Sequence, residues 1–303
     1  LSSRSGVEFI DVVSGEIRNN FWLRGTCQYG VLPCNGLLYA PPHSCACNIK
    51  TMMRGLCVFS AKQALSGNPA AKKDRFERGP AFGAIGEAGL PHAEDWPVFR
   101  HDNERSGKAS TRVPHELRQV WKTTLGGKLT APVVARGRIY ISETDAHTVH
   151  ALNATSGNSI WSYTANGRID SPPTVHNNTV LFGSADGWVY CLREEDGALV
   201  WRYRGAPEER AIVVRGQLES AWPIHGSVLV ENDVAVVAAG RSSYVDGGIH
   251  ITRLNPATGK KLSETLVNSL DPKTGKQPPG GVDLRGVLND ILAASNGSVY
   301  MRH

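Results

Sequence analysis

The sequence predicts an all-β fold, a β-propeller with four-stranded blades of about forty residues, on three observations. Trp121, Trp161 and Trp201 recur at a spacing of forty. The last two each follow a turn phrase with the same glycine, Ser156-Gly157 and Asp196-Gly197. Short runs of β-branched and aromatic residues lie between them, separated by Gly, Asn and Asp, where positive φ or side-chain turn bonds are needed. A period near forty, made of strands and tight turns, is that of a propeller blade, which buries its faces only by stacking on its neighbours.

Each unit can be followed in order. The first runs from Ala131-Pro-Val-Val through Gly137-Arg-Ile-Tyr-Ile and Thr148-Val-His-Ala-Leu to Trp161. The second runs from Ser171-Pro-Pro-Thr through Thr179-Val-Leu-Phe-Gly and Gly187-Trp-Val-Tyr-Cys-Leu to Trp201. The third takes Ser227-Val-Leu-Val, Val234-Ala-Val-Val-Ala and Ile249-His-Ile-Thr-Arg-Leu, and closes at Thr258-Gly259. Its closing glycine lies 62 residues after Gly197, and the excess falls in 207–222 and 241–248. Upstream, Glu8-Phe-Ile-Asp-Val-Val-Ser-Gly15 matches the end of a unit, and Gly36-Leu-Leu-Tyr and Gly55-Leu-Cys-Val-Phe match strands of another.

Three regions are therefore expected. Residues 1–61 hold the end of one blade and a cysteine-rich blade. Residues 62–94, rich in Ala, Gly, Pro and charge, form a linker without strands. Residues 95–303 hold about three complete blades and a truncated last one. The count falls short of a closed ring, so the expectation is an arc from a seven- or eight-bladed propeller, a piece of a longer protein.

Composition excludes some functions. Lys and Arg number 33 against 28 Asp and Glu, a net charge of +5, with no basic run interleaved with aromatics of the kind that binds nucleic acid. No apolar run approaches the roughly 18 residues of a membrane span.

Two constellations stand out. Cys27, Cys34, Cys45, Cys47 and Cys57 crowd one short stretch. The first four fit disulfides in an oxidising compartment, a metal site with His43, or free thiols; the spacing leaves all three open. Cys57 and Cys191 read as core thiols. His147 and His150, three apart, read as a turn and a strand histidine rather than a chelating pair. The second constellation is the insertion at 207–222, with Arg210, Arg215, Gln217, Glu219 and Trp222, followed by His225. Loops of this kind gather on one face of a propeller, where Arg241, Arg168 and Asp170 would be neighbours. Trp with Arg and carboxylates suits a carbohydrate or an acidic small ligand. The alternative is a charged loop that pairs with itself.

The phrases ending in Trp161 and Trp201 resemble the tryptophan-docking repeat of the PQQ-like family, known from pyrroloquinoline-quinone (PQQ) dehydrogenases and from non-enzymatic relatives in outer-membrane assembly. Asp95-Trp-Pro-Val-Phe-Arg-His, Gln217-Leu-Glu-Ser-Ala-Trp-Pro and Tyr39-Ala-Pro-Pro-His resemble PQQ-like repeats of large exported planctomycete-type proteins. The resemblance implies that Trp121, Trp161 and Trp201, with Gly157, Gly197 and Gly259, lock neighbouring blades. It implies an extracytoplasmic binding or interaction module, whose partner is the remainder of the propeller or another protein domain. A PQQ-dependent oxidoreductase fragment using PQQ with Ca²⁺ is the alternative, as is a propeller enzyme acting on polysaccharide. The adjacent-cysteine pair of those dehydrogenases is missing, and no residue matches their catalytic pattern.

Overall fold

The computed structural model describes residues 2–3, 6–21, 23–25, 29–42, 55–60, 74–86, 92–275 and 289–301. Among them there are strands and turns and no helix. The N-terminal strands are β1 (Ser2–Ser3), β2 (Gly6–Ile10) and β3 (Ile17–Asn20), which form one antiparallel sheet. A second sheet contains β4 (Leu32–Cys34), β5 (Leu37–Ala40) and β6 (Cys57–Ser60), and β7 (Phe76–Arg78) follows.

The repeat then builds its blades. Blade A contains β8 (Val133–Ala135), β9 (Arg138–Glu143), β10 (Thr148–Asn153) and β11 (Ser159–Thr164). Blade B contains β12 (Thr174–His176), β13 (Thr179–Gly183), β14 (Trp188–Arg193) and β15 (Leu199–Arg204). A hairpin of β16 (Ala211–Val214) and β17 (Gln217–Ser220) interrupts the series. Blade C contains β18 (Leu229–Glu231), β19 (Val234–Ala239), β20 (Ile249–Leu254) and β21 (Lys261–Val267), and β22 (Ala293–Ser295) pairs with β23 (Ser298–Tyr300). All three blades are up-and-down antiparallel sheets. The repeat extends to fine geometry: the register shifts between Ala151 and Leu152, Cys191 and Leu192, and Arg253 and Leu254, the same place in each blade.

Burial follows position in the stack. Every residue of β13 is buried, because blade B is packed on both faces. The outer strand of blade A, β11, alternates toward solvent. The outer strand of blade B does not, because β7 pairs with it in register, Trp201 opposite Arg78 and Tyr203 opposite Phe76. This corrects the expected strandless linker over 62–94. A three-residue strand joined through backbone bonds has no apolar period to betray it.

Trp161 lies between blades A and B and Trp201 between blades B and C, while Trp121 packs on the β10–β11 turn of blade A. Trp161 Nε1 donates to the Glu194 carbonyl at 2.9 Å, Trp201 Nε1 to that of Pro256 at 3.0 Å, and Trp121 Nε1 to that of Ala154 at 3.0 Å. Each ring lies over a glycine of the next turn at φ between +65° and +74°, where an added Cβ would stand 2.5–2.7 Å from ring carbons. No other residue fits there.

The stretch 95–107 crosses the inner strands of successive blades. Trp96 exchanges backbone bonds with Val134, and Pro97 accepts from Val175 N. Asn103 Nδ2 donates to the Val230 carbonyl at 2.6 Å, and Asn103 O accepts from Ala294 N at 2.8 Å. These four partners lie in β8, β12, β18 and β22, so one short segment ties together the first strands of four sheets. Arg105 is pulled into this seam and donates to the Leu292 carbonyl at 3.0 Å; burial lowers its pKa to about 10.

Candidate functional site

The two places where the period breaks meet on one face. The connection from blade A to blade B carries Arg168 and Asp170, the inserted hairpin carries Gln217 and Glu219, and the long β19–β20 loop carries Arg241 and Asp246. In propeller geometry, connections between blades and loops between second and third strands emerge on the same side.

Two ion-pair groups result. In the first, Arg168 Nε donates to Glu219 Oε1 at 2.6 Å, with both side chains almost fully buried. Its Nη1 lies 4.0 Å from Asp145 Oδ1, and its Nη2 lies 3.9 Å from Asp170 Oδ2. Asp170 Oδ2 in turn sits 2.7 Å from His225 Nδ1. Burial alone would raise the Asp170 carboxyl, but the neighbouring His225 and Arg168 outweigh it and hold it at about 2. In the second group, the Asp246 carboxylate takes Arg210 Nη2 at 2.8 Å and Arg241 Nη2 at 2.6 Å. Arg241 Nη1 lies 3.8 Å from the sulfur of buried Cys57, which brings the N-terminal strands to this face.

Asp246 went unnoticed in the sequence, although it lies in the insertion at 241–248. Only the fold shows that two arginines 31 positions apart converge on it. Trp222 departs from the expected stacking platform. It is 3 % exposed, its Nε1 donates to the Asp246 carbonyl at 2.9 Å, and the Arg210 guanidinium covers its ring at 4.5 Å. The ring is a support for the arginine, with no face left for a sugar. Arg215 stands exposed in the β16–β17 turn at φ +52°. Gln217 reaches back to blade A, where its Oε1 lies 2.8 Å from His147 Nε2. His147 is in a turn, and His150 lies in β10, 3.3 Å from Glu143, so the two do not converge.

The hairpin pairs Val213 with Leu218, and the two side chains are 55 % and 68 % exposed. An apolar pair held in solvent above a buried ion pair has no role in the core of this chain.

The cysteine expectations come out differently. Cys27, Cys45, Cys47 and His43 lie outside the described residues. Cys34 is an exposed free thiol, and no disulfide occurs among the described residues. Cys191 is buried, and burial raises its pKa to about 12, as expected of a core thiol. The described residues do not fit PQQ with Ca²⁺. Among them no three His, Cys, Asp or Glu side chains gather to hold a cation. Asp145, Asp170 and Glu219 all turn toward Arg168, and Trp222 has no open face. No helix of the described residues is long and apolar enough to cross a membrane.

A family profile described as outer membrane protein assembly factor BamB matches residues 114–299, more than half of the chain. The outer membrane protein assembly factor BamB of Burkholderia pseudomallei is 28% identical over 176 residues, 58% of this chain and 39% of its own length. That of Yersinia pestis is 30% identical over 181 residues, 52% of this chain and 44% of its own. The chain thus spans about four tenths of the length of these relatives. Among solved structures, the quinohemoprotein alcohol dehydrogenase of Comamonas testosteroni aligns at a TM-score of 0.45 and 22% identity, covering 60% of this chain and 28% of that one.

Proposed function

Since the chain belongs to the outer membrane protein assembly factor BamB family of PQQ-like repeat proteins, we propose that it is an extracytoplasmic interaction module whose ligand is another protein. The observation that carries this reading is the inserted hairpin, which presents Val213 and Leu218 to solvent beside Arg215. Beneath it, Arg168–Glu219 and Arg210–Asp246–Arg241 form a platform of paired charges. A carboxylate held at about 2, as Asp170 is, stays ionised at neutral pH and makes a poor general base there. Exposed apolar side chains on a base of paired charges are the composition of a protein-binding patch. The segment at 95–107, which ties four inner strands, favours a scaffold that keeps its shape on binding.

The test is co-purification of the tagged chain from the extracytoplasmic fraction, with the Val213→Asp/Leu218→Asp variant alongside. A defined partner should be recovered with the parent chain and lost with the variant, while the unfolding midpoint stays within experimental error. A parallel titration with PQQ and Ca²⁺ should give no change in absorption. A bound chromophore, or a partner retained by the double variant, would overturn the reading.

A further inference from the structure

On the outer rim, a cleft of about 1060 Å³ opens between β7 and the closing turn of blade C and reaches Pro207 at the start of the insertion. Its walls are aromatic at Phe76, Phe82 and Tyr203 and cationic at Arg78, Lys260 and Lys261, with the Asp74 carboxylate as the one acidic side chain among the lining residues. Some cations nearby are already matched: Lys261 and Arg75 both reach Glu264, and Arg204 reaches Glu209. Arg78 and Lys260 form no ion pair with a carboxylate among the described residues. Arg78 instead lies 4.7 Å over the Phe82 ring, at the boundary between the two walls.

Beside the cleft, β7 is the last strand of its sheet among the described residues, and its outer edge is open among them. Gly79 N donates to the Val200 carbonyl and Arg204 N to that of Arg75, so the odd-numbered positions of this strand face β15. The alternation of an antiparallel ladder turns the main-chain N–H and C=O of Arg78, and the C=O of Phe76, to the outer edge. An apolar carboxylate of small size would satisfy the two walls. Only a second peptide would also satisfy the edge.

We propose that this rim cleft binds an acidic peptide segment of a partner protein, its bulky apolar side chain against Phe76 and Phe82 and its carboxylates on Arg78 and Lys260. The proposal rests on the preceding reading only in taking the partner to be a protein. None of the residues lining the cleft belongs to the hairpin strands, so a partner engaging both would be held at two points.

Fluorescence anisotropy tests it with a labelled peptide of alternating Glu and Phe, a matched Lys-Phe peptide, and octanoate as competitor. The acidic peptide should bind and the basic one should not. Arg78→Glu/Lys260→Glu, two exposed positions, should weaken the acidic peptide at least tenfold and admit the basic one, with an unchanged near-ultraviolet circular dichroism spectrum. Phe82→Ala should weaken the acidic peptide without changing the preference. Equal binding to parent and charge-reversed chains would overturn the proposal, as would octanoate binding with no peptide binding. A chain that binds the peptide but recovers no protein from cells would contradict the preceding reading and leave the cleft standing; the reverse pattern would do the opposite.

Discussion

Replacing Gly197 with alanine isolates the inter-blade contact, because Gly137 supplies a matched control. Both residues sit in strand-connecting turns at nearly the same φ, +74° and +72°. Alanine at either site carries the same left-handed penalty, about 1–2 kcal/mol. The surroundings differ. Around Gly137 nothing lies within 4 Å of an added Cβ, whereas at Gly197 it would stand 2.7 Å from Cδ2 and Cε3 of Trp161. The ring must therefore move, which strains a packed interface by about 1–3 kcal/mol. It also breaks the 2.9 Å bond from Nε1 to the Glu194 carbonyl, and a buried polar group left unmet costs about 1–3 kcal/mol. Gly197→Ala should thus destabilise the chain by about 2–6 kcal/mol more than Gly137→Ala. Urea unfolding followed by tryptophan fluorescence reads the difference. Equal losses for the two variants would refute the claim that the ring locks blade A to blade B.

Other perturbations have equally definite outcomes. Glu219→Ala leaves the buried Arg168 guanidinium without its 2.6 Å partner and should cost about 3–5 kcal/mol in urea unfolding. Asp170 has its folded-state pKa lowered from 3.8 to about 2, so its contribution is fully present above pH 4. It is lost as pH falls toward 2, and amounts to about 2 kcal/mol; unfolding midpoints measured against pH should show a smaller acid loss in Asp170→Asn than in the parent. Asn103→Ala removes the bonds to Val230 O and the Glu231 carboxylate and should lower stability by about 1–3 kcal/mol, with faster amide exchange in β18 and β22.

The parts legible in the sequence are those governed by local rules. Glycine in a left-handed turn, tryptophans forty residues apart, and β-branched runs between them mark the repeat from its own residues. The insertion at 207–222 was visible as a break in the period. What the sequence did not reveal depends on distant partners. Phe76–Arg78 is a strand because β15 offers it an edge, and its polar residues give no pattern. Trp222 carries an exposed-looking neighbourhood of charge, yet Arg210 and Asp246 bury it. Arg168 and Glu219 lie 51 positions apart, and nothing local distinguishes them from other surface charges. The seam at 95–107 acts through Asn103, Arg105 and main-chain groups, which carry no periodic signal.

The central claim, that the hairpin is a protein-binding surface, is tested most directly by a photo-crosslinking amino acid placed at Leu218 in living cells. Leu117, 76 % exposed but far from the hairpin in sequence, serves as the reference position. The account predicts a discrete protein adduct from position 218 and none from 117. Identical adduct patterns from the two positions, or none from 218, would contradict it.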